Sequence, residues 1–194
     1  MPALPGFTTS YATVERALVR MHDIPADGIK TFRSRFGALQ RDGMLGDQPG
    51  KGQKLVYGPD QIHRAVLTFE LIELGLAPSI ILSLIKQRWD DRLRGIFEKA
   101  EHANQHETSD VVLMLGFNAI NSSAPTINAM TLDKISQHIT LALDGKSLPA
   151  RGLLVNLSAV MRSFHDALVY YHRQPEPVIE APKKAKAKRR LAKR

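Results

Sequence analysis

Apolar residues recur at helical spacing in two stretches near the start of the chain. From Thr13 to Met21 they fall three or four positions apart, and from about Asp27 to Arg41 they step by three, four and three residues. Such spacing predicts two amphipathic helices. The stretch between them, His22–Gly28, contains a proline and a glycine, which are turn signals. The order of helix, tight turn and helix is that of a helix-turn-helix motif.

A glycine-rich stretch follows the second predicted helix. Asp42–Pro59 contains five glycines and two prolines, so it cannot be helical throughout. Within it, Lys54–Tyr57 is predicted to form a short strand after a turn, and the two together indicate a hairpin or wing. The wing carries Lys51, Gln53 and Lys54, side chains that suit the phosphate backbone beside a DNA groove. A plain connector between helices is the alternative.

Two further helices are predicted beyond the wing. Asp60 is expected to be the N-cap of the third helix, which ends at Gly75. Pro78 suits the first turn of the fourth helix, whose apolar positions continue to about Ala103. A helix of this length extends beyond a four-helix core, so its distal half is expected to pack on a partner subunit.

The chain after the fourth helix alternates strand-like and helix-like stretches. Val111–Phe117 and Arg151–Leu157 are predicted strands. Leu132–Asp144 and Ser158–His172 are predicted helices, the second with Ser158 as its N-cap. Together they predict a small α/β unit that serves dimerisation, effector binding or both.

Residue types that the chain lacks exclude several classes of protein. None of the 194 residues is a cysteine, which excludes disulfides, thiolate metal sites and cysteine nucleophiles and suits a reducing cytoplasm. No apolar run approaches the ~20 residues that span a bilayer, and the start of the chain lacks the segments of a secretory signal. We therefore expect a cytoplasmic protein with no membrane partner.

The net charge of +8 is distributed unevenly along the chain. Residues 183–194 carry eight Lys or Arg and no acid, residues 1–64 carry nine basic and six acidic side chains, and residues 65–182 carry ten and thirteen. The end of the chain also contains three prolines and few apolar residues, which predicts a disordered tail. Its charge predicts salt-sensitive, sequence-independent affinity for DNA, with a solubilising end as the alternative.

The second predicted helix has small and basic side chains opposite its apolar stripe. A helical wheel places Lys30, Thr31, Ser34, Ala38 and Arg41 on that outward face, and it places Arg33 and Arg35 on the two shoulders of the face. Such a face suits the major groove, where arginine pairs with guanine or clamps phosphates and small residues permit close approach. Gly37 lowers helix stability by ~1 kcal/mol relative to alanine, which a close approach to DNA or to another helix would explain. A solvated basic face is the alternative.

The stretch "VYGPDQIHRAVLTFELIELGLAPSIILSLI", from Val56 to Ile85, resembles the second half of a MerR-type winged-helix domain. The residues that fall in matching places are Tyr57, Asp60, Arg64, Glu73, Leu74 and Gly75. With the preceding helix-turn-helix order, the resemblance covers about residues 10–85. It implies a dimeric bacterial DNA-binding regulator whose second helix enters the major groove and whose wing contacts the backbone. It also implies that Tyr57 and Arg64 occupy phosphate-side positions.

Residues with catalytic or metal-binding potential do not form a recognised motif. His102 and His106 lie four positions apart on a predicted helix but lack a third ligand and the Glu of H-E-x-x-H. His165 and Asp166 are adjacent and point to different helix faces, so they do not form a dyad. No nucleophile elbow or phosphate-binding loop is present. We therefore predict no enzyme activity, no cofactor and no metal.

These observations predict a mainly α protein with an N-terminal winged helix-turn-helix, a long helix, a small C-terminal α/β unit and a disordered basic tail. The predicted units are a leader at 1–9, a DNA-binding domain at 10–88, a linking or dimerisation helix at 89–104, the α/β unit at 110–172 and the tail at 173–194. The predicted function is sequence-specific binding of double-stranded DNA by a dimeric, nucleoid-located transcription regulator, with a small-molecule or protein effector left open. The alternatives are an architectural DNA-binding protein of low specificity and a protein-binding regulatory module. The predicted DNA contacts are Lys30, Thr31, Arg33, Ser34, Arg35, Arg41, Lys51, Gln53, Lys54, Tyr57 and Arg64.

Overall fold

The computed structural model describes residues 8–45, 56–116, 125–137 and 152–173. The protein is mainly helical with two small antiparallel sheets, which confirms the predicted mainly α class. Within the described ranges no helix is long and apolar enough to cross a membrane. The described elements, in chain order, are strand β1 (Thr9–Ser10), helices α1 (Tyr11–Met21) and α2 (Ile29–Arg41), strand β2 (Val56–Tyr57), helices α3 (Pro59–Glu73) and α4 (Pro78–Arg88), a π-helical turn (Trp89–Leu93), helix α5 (Arg94–Gln105), strands β3 (Val111–Gly116) and β4 (Thr126–Thr131), a 3-10 turn (Leu132–Lys134), strand β5 (Gly152–Asn156) and helix α6 (Leu157–Arg173).

The two predicted N-terminal helices form close to their predicted bounds. α1 begins two residues earlier than predicted because the Ser10 hydroxyl accepts a 3.2 Å hydrogen bond from the Thr13 backbone N–H and caps the first turn. α2 ends at Arg41 as predicted and begins at Ile29, two residues after the predicted start at about Asp27. The two helices are therefore joined by the short turn that the sequence indicated.

Thr9 and Ser10 form a strand that the sequence analysis did not predict. Thr9 pairs with Tyr57 and Ser10 pairs with Val56 in an antiparallel two-stranded sheet. Residues 1–9 were assigned to a leader, so the assignment of Thr9 is corrected. Two residues are too few for an alternating pattern to be recognised in the sequence. The pairing ties the chain that enters α1 to the chain that enters α3.

Aromatic rings from α2 and α3 form the core beneath the first two helices. Between ring centroids, Phe32 lies 4.6 Å and Phe36 5.7 Å from Phe69, and Tyr11 stacks on Phe36 at 4.9 Å. Phe32, Phe36 and Leu39 are buried, as the apolar stripe predicted. Burying one such side chain contributes about 1.5–3 kcal/mol, so this packing determines which face of α2 points outward.

Asp60 has a different role from the N-cap that the sequence predicted. α3 begins at Pro59 after Gly58, so Asp60 lies in the first turn. Its carboxylate accepts a 2.7 Å hydrogen bond from Trp89 Nε1 and a 3.0 Å hydrogen bond from Arg94 Nε. Asp60 therefore links the start of α3 to the π-helical turn and to the start of α5.

The predicted fourth helix is interrupted and is covered by its own chain. α4 ends at Arg88, the π-helical turn follows, and α5 continues to Gln105. Phe97 and Ala100 of α5 are fully buried, and α5 packs against α6 and β3. This packing corrects the expectation that a partner subunit covers the distal half of the helix.

The C-terminal part contains a three-stranded antiparallel sheet in the order β4-β3-β5. Its register pairs Val112 with Met130 on one side and with Asn156 on the other. β3 and β5 match the two predicted strands, whereas β4 was missed because its sequence, TINAMT, is mostly exposed and has no continuous apolar run. Of the predicted helix 132–144, the 3-10 turn and residues 135–137 are described, and the rest lies outside the described residues.

α6 closes the fold against α1 and α5. Its N-cap is Asn156 and not Ser158, because Asn156 Oδ1 accepts a 3.0 Å hydrogen bond from the Ala159 backbone N–H. Ser158 is buried instead, and its hydroxyl accepts a 2.9 Å hydrogen bond from the Val111 backbone N–H. One hydrophobic cluster extends from α1 to α6, so the N-terminal helices and the C-terminal sheet share a core.

Three helices meet at a buried carboxylate. Glu101 of α5 is 8% exposed, and its Oε1 lies 3.2 Å from His63 Nε2 on α3 and 3.4 Å from His165 Nε2 on α6. Burial raises the pKa of Glu101, but the contacts of His165 and His63 lower it by more, so the pKa falls to about 2. The carboxylate is therefore ionised at neutral pH and holds α3, α5 and α6 together.

Glu101→Gln is expected to destabilise the fold by about 1–3 kcal/mol at neutral pH, because it removes the charge that the two imidazoles contact. A carboxyl with a lowered folded pKa contributes stability above its unfolded pKa, and the contribution is lost as the pH falls from 4.5 towards about 2. Urea unfolding should therefore show a difference between wild type and variant that is largest near neutrality and shrinks below about pH 4.5.

The exposed Glu98 of the same helix provides the control for this measurement. Glu98→Gln should change the free energy of unfolding by less than about 0.5 kcal/mol at either pH. A Glu101→Gln difference of equal size at neutral and acidic pH would contradict the assigned role of the carboxylate.

Candidate nucleic-acid interface

The α2 residues that the sequence assigned to DNA contact all lie on its exposed side. No Asp or Glu occurs between Ile29 and Arg41, so the positive charge of this face is not neutralised within the helix. Clustered cations create a local potential that attracts phosphates. We call this surface the basic face, and it consists of Lys30, Thr31, Arg33, Ser34, Arg35 and Arg41.

One arginine of the basic face is held by a buried acid on the neighbouring helix. Arg33 Nε donates a 2.5 Å hydrogen bond to Glu15 Oε1 of α1. This hydrogen bond, together with the charge of Glu15, raises the pKa of Arg33. Glu15 was not among the predicted site residues, although an acidic residue beside Val14 on the buried face of an amphipathic helix was a signal for it.

Tyr11 adjoins this ion pair at the start of α1. Its ring stacks on Phe36, and burial raises the pKa of its hydroxyl. The Glu15 charge raises that pKa further, while the Arg33 charge opposes it. Tyr11 was also missed, because a single tyrosine at a helix start has no distinctive spacing. Tyr11, Glu15 and Arg33 therefore form one connected group at the junction of α1 and α2.

The two arginines of α1 contact the C-terminal helix. The guanidinium of Arg20 lies 3.7 Å from the ring centroid of Tyr170, and that of Arg16 lies 5.6 Å from the ring centroid of Tyr171. These cation–π contacts attach α6 to α1. Because the two arginines of α1 contact tyrosines of α6, the candidate interface is centred on α2.

Tyr57 does not lie at the surface where a phosphate contact was expected. Its side chain is 1% exposed, and its ring lies near Tyr11 and Phe36 in the aromatic core. Burial raises the pKa of its hydroxyl, with a further increase from Tyr11. Its Oη has no hydrogen-bond partner among the described residues. The expected phosphate contact is corrected, because β2 directs this side chain into the core.

Arg64 is also used within the chain. Its side chain is 16% exposed, pairs with Asp60 at 3.2 Å and lies 4.9 Å from the ring centroid of Trp89. The structure therefore places Arg64 in the group around Asp60 and Trp89, and its expected place at the phosphate backbone stays a prediction. The three wing residues Lys51, Gln53 and Lys54 lie outside the described residues, as does the tail beyond Arg173.

Gly37 has no internal reason to be glycine among the described residues. It lies within α2, and a Cβ added there would meet only Arg41 Nη1, at the ordinary contact distance of 3.6 Å. The described part of the chain therefore leaves room for a methyl group at this position. Gly37 belongs to α2, the helix that carries the basic face.

Metal binding receives no support from the described part of the chain. No group of three His, Asp or Glu side chains there is arranged to hold a metal ion. His102 and His106 face each other with ring centroids 4.2 Å apart at the end of α5.

No protein-family model matches the chain, and a search of curated proteins found no significant match. The function is therefore inferred from the geometry of α2 and its surroundings and from the residue pattern.

Tyr57→Phe is expected to leave DNA affinity unchanged and to stabilise the fold by up to about 1 kcal/mol, because it removes a buried hydroxyl that has no hydrogen-bond partner among the described residues. Urea unfolding and fluorescence anisotropy with a DNA duplex measure the two quantities. Tyr170→Phe is the control for loss of a more exposed hydroxyl and should change stability by less than about 0.5 kcal/mol. A loss of DNA affinity in Tyr57→Phe would indicate that the Tyr57 hydroxyl contacts a phosphate in spite of its burial.

Proposed function

We propose that this protein is a DNA-binding transcription regulator of MerR-like type that binds double-stranded DNA through the basic face of α2. The observation that carries the proposal is the exposed, acid-free surface of α2, whose opposite side is anchored in the core by Phe32 and Phe36. A helix fixed in this way presents its charges in a constant orientation.

The size and chemistry of the basic face match a DNA major groove. The groove admits one α-helix, and its base edges and flanking phosphates accept hydrogen bonds from arginine and lysine. Thr31 and Ser34 are small and exposed, so they allow the helix backbone to come close to the base edges. Arg33 and Arg35 lie on either side of Ser34 and are able to reach bases or phosphates.

The order of elements around α2 also supports this function. α1 and α2 are consecutive helices joined by a short turn, and the β1–β2 pairing returns the chain next to the start of α1. The resemblance of residues 56–85 to MerR-type domains adds the expectation of a wing, with Lys51, Gln53 and Lys54 on the DNA backbone. It also adds the expectation of a homodimer that binds a palindromic site, because symmetric dimers bind symmetric half-sites.

The C-terminal segments complete the proposal. The basic residues after 182 are expected to add affinity for any DNA through release of counterions, which makes binding strongly dependent on salt. Such binding is consistent with a cytoplasmic protein located at the nucleoid. An effector that acts through the C-terminal unit remains a proposal without a chemical identity.

Replacing Arg33 and Arg35 together by alanine should weaken binding to the selected site at least about 10-fold, because two of the four exposed cations of the groove-facing helix are lost. Electrophoretic mobility shift with sites selected from randomised duplexes measures this loss. The matched control is Lys86→Ala with Arg92→Ala, which removes two exposed cations from α4 and the π-helical turn and should leave specific affinity within about threefold.

The same measurement separates the alternative functions. A regulator should bind one selected site at a salt concentration that abolishes binding to random duplexes. Equal affinity for selected and random duplexes would indicate an architectural protein. Unchanged DNA binding in the double variant would exclude α2 as the reader, and complete absence of DNA binding by the wild type would favour a protein-binding module.

Gly37→Ala should stabilise the fold by about 0.5–1 kcal/mol, because alanine is the better helix former and the described chain leaves room for its methyl group. If the DNA approaches α2 closely, the same methyl group should weaken DNA binding. Gly95→Ala in α5 is the matched control, since an added Cβ there meets nothing within 4 Å and should stabilise without altering DNA affinity. A Gly37→Ala variant with wild-type affinity would show that Gly37 does not serve close approach.

A further inference from the structure

The buried carboxylate of Glu15 contacts one particular nitrogen of Arg33. Glu15 is 5% exposed on α1, and its Oε1 accepts a hydrogen bond from Arg33 Nε. Among the described residues this is the only hydrogen bond of the Arg33 side chain, which is 62% exposed. The terminal nitrogens Nη1 and Nη2 therefore have no protein partner within those ranges.

This geometry leaves free the end of arginine that recognises guanine. A bidentate contact to guanine uses two parallel N–H groups that donate to O6 and N7 in the major groove. A flexible arginine loses several rotamers when it forms such a contact. An arginine already held at Nε has lost much of that freedom before it meets DNA, so less binding energy is spent on ordering it.

The position of Glu15 is difficult to explain by phosphate binding alone. An acid near the DNA backbone repels phosphates, and burial of a carboxylate is unfavourable unless it is paired. A phosphate contact also tolerates many arginine orientations and carries no sequence information. A buried acid that orients one arginine is useful where direction matters, and direction matters for base recognition.

Arg35 provides a comparison on the same helix. It is exposed like Arg33 but has no hydrogen bond or ion pair among the described residues. The two arginines thus have the same chemistry and the same helix but different degrees of restraint.

We propose that Arg33 is the guanine-reading residue of the basic face and that Glu15 is its positioning residue, holding Nε so that Nη1 and Nη2 point at a base edge. This inference rests on the proposed function and assigns specificity within it. Arg35 then contributes mainly to backbone affinity.

The test begins with the full-length wild-type protein and a pool of randomised DNA duplexes. The selected site is resynthesised with each guanine replaced in turn by the other bases, and dissociation constants are measured for every duplex. Arg33→Lys keeps the charge but lacks the two parallel N–H groups of the guanidinium. It should therefore reduce discrimination between guanine and the other bases, at one guanine per half-site, from about 5- to 150-fold down to about threefold or less. Arg35→Lys, the matched control, should leave discrimination at that guanine unchanged.

Variants of Glu15 test the positioning role. Glu15→Met keeps the length of the side chain and suits the buried face, and it should raise affinity for all duplexes while it lowers discrimination at the same guanine at least about threefold. Glu15→Gln retains an acceptor for Nε and should keep discrimination within about twofold of wild type. Circular dichroism shows whether Glu15→Met folds. If it does not, Glu15→Asp provides a second test of lowered discrimination, because its side chain is shorter by one methylene and moves the carboxylate away from Arg33.

The outcomes distinguish this inference from the proposed function. If Arg33→Lys keeps the base preferences of the wild type and binds all duplexes more weakly by the same factor, Arg33 is a phosphate contact. That result would overturn the inference but leave the proposed function, DNA binding, intact. Unchanged discrimination in folded Glu15→Met or Glu15→Asp would overturn the positioning role. Absence of any selected site for the wild type would overturn both the inference and the proposed function.

Discussion

Phe32 and Phe36 project from one side of α2 and pack against Phe69 of α3, with ring centroids 4.6 and 5.7 Å apart. Because the two phenylalanines lie one helical turn apart, their burial leaves α2 a single orientation about its axis. Phe36 also contacts Tyr11 and Tyr57, so the β1–β2 sheet is joined to the same core. The outward direction of the basic face, the ion pair with Glu15 and the burial of Tyr57 all depend on this packing.

Three carboxylates connect helices to one another, and each is paired in a different way. Glu15 joins α1 to α2 through Arg33, Asp60 joins α3 to the π-helical turn and α5, and Glu101 joins α3, α5 and α6 through two histidines. A carboxylate removed from water requires donors in fixed positions, so each pairing specifies one relative placement of its helices. Hydrophobic packing stabilises the core, but it depends less on the relative orientation of the packed groups than the pairing of a carboxylate does. The carboxylates therefore add orientation, and at Arg33 that orientation reaches the candidate DNA-contacting surface.

Much of the helical architecture was predictable, and the errors have identifiable physical causes. α1 and α2 follow from apolar spacing of three and four residues, and β3 and β5 follow from continuous apolar runs. The two-residue β1 is too short to show a pattern and pairs with a strand that is remote in the chain, and β4 has no continuous apolar run. Asp60 and Ser158 are residue types that favour the N-cap position, but both were assigned the wrong role. Gly58 and Asn156 are the residues that precede the two helices, and the side chains of Asp60 and Ser158 form hydrogen bonds to other parts of the fold.

The sequence by itself determined the two faces of α2, because the period of an α-helix places residues 32, 36 and 39 together whatever they pack against. It also determined the excess of positive charge on the opposite face. Only the tertiary structure decided the environment of the individual polar groups: Tyr57 became a core residue, Arg64 paired with Asp60, and α6 rather than a partner subunit covered α5. The reason is that periodicity is a property of neighbouring residues, whereas burial, ion pairing and the orientation of Arg33 by Glu15 arise between segments that meet only in the folded chain.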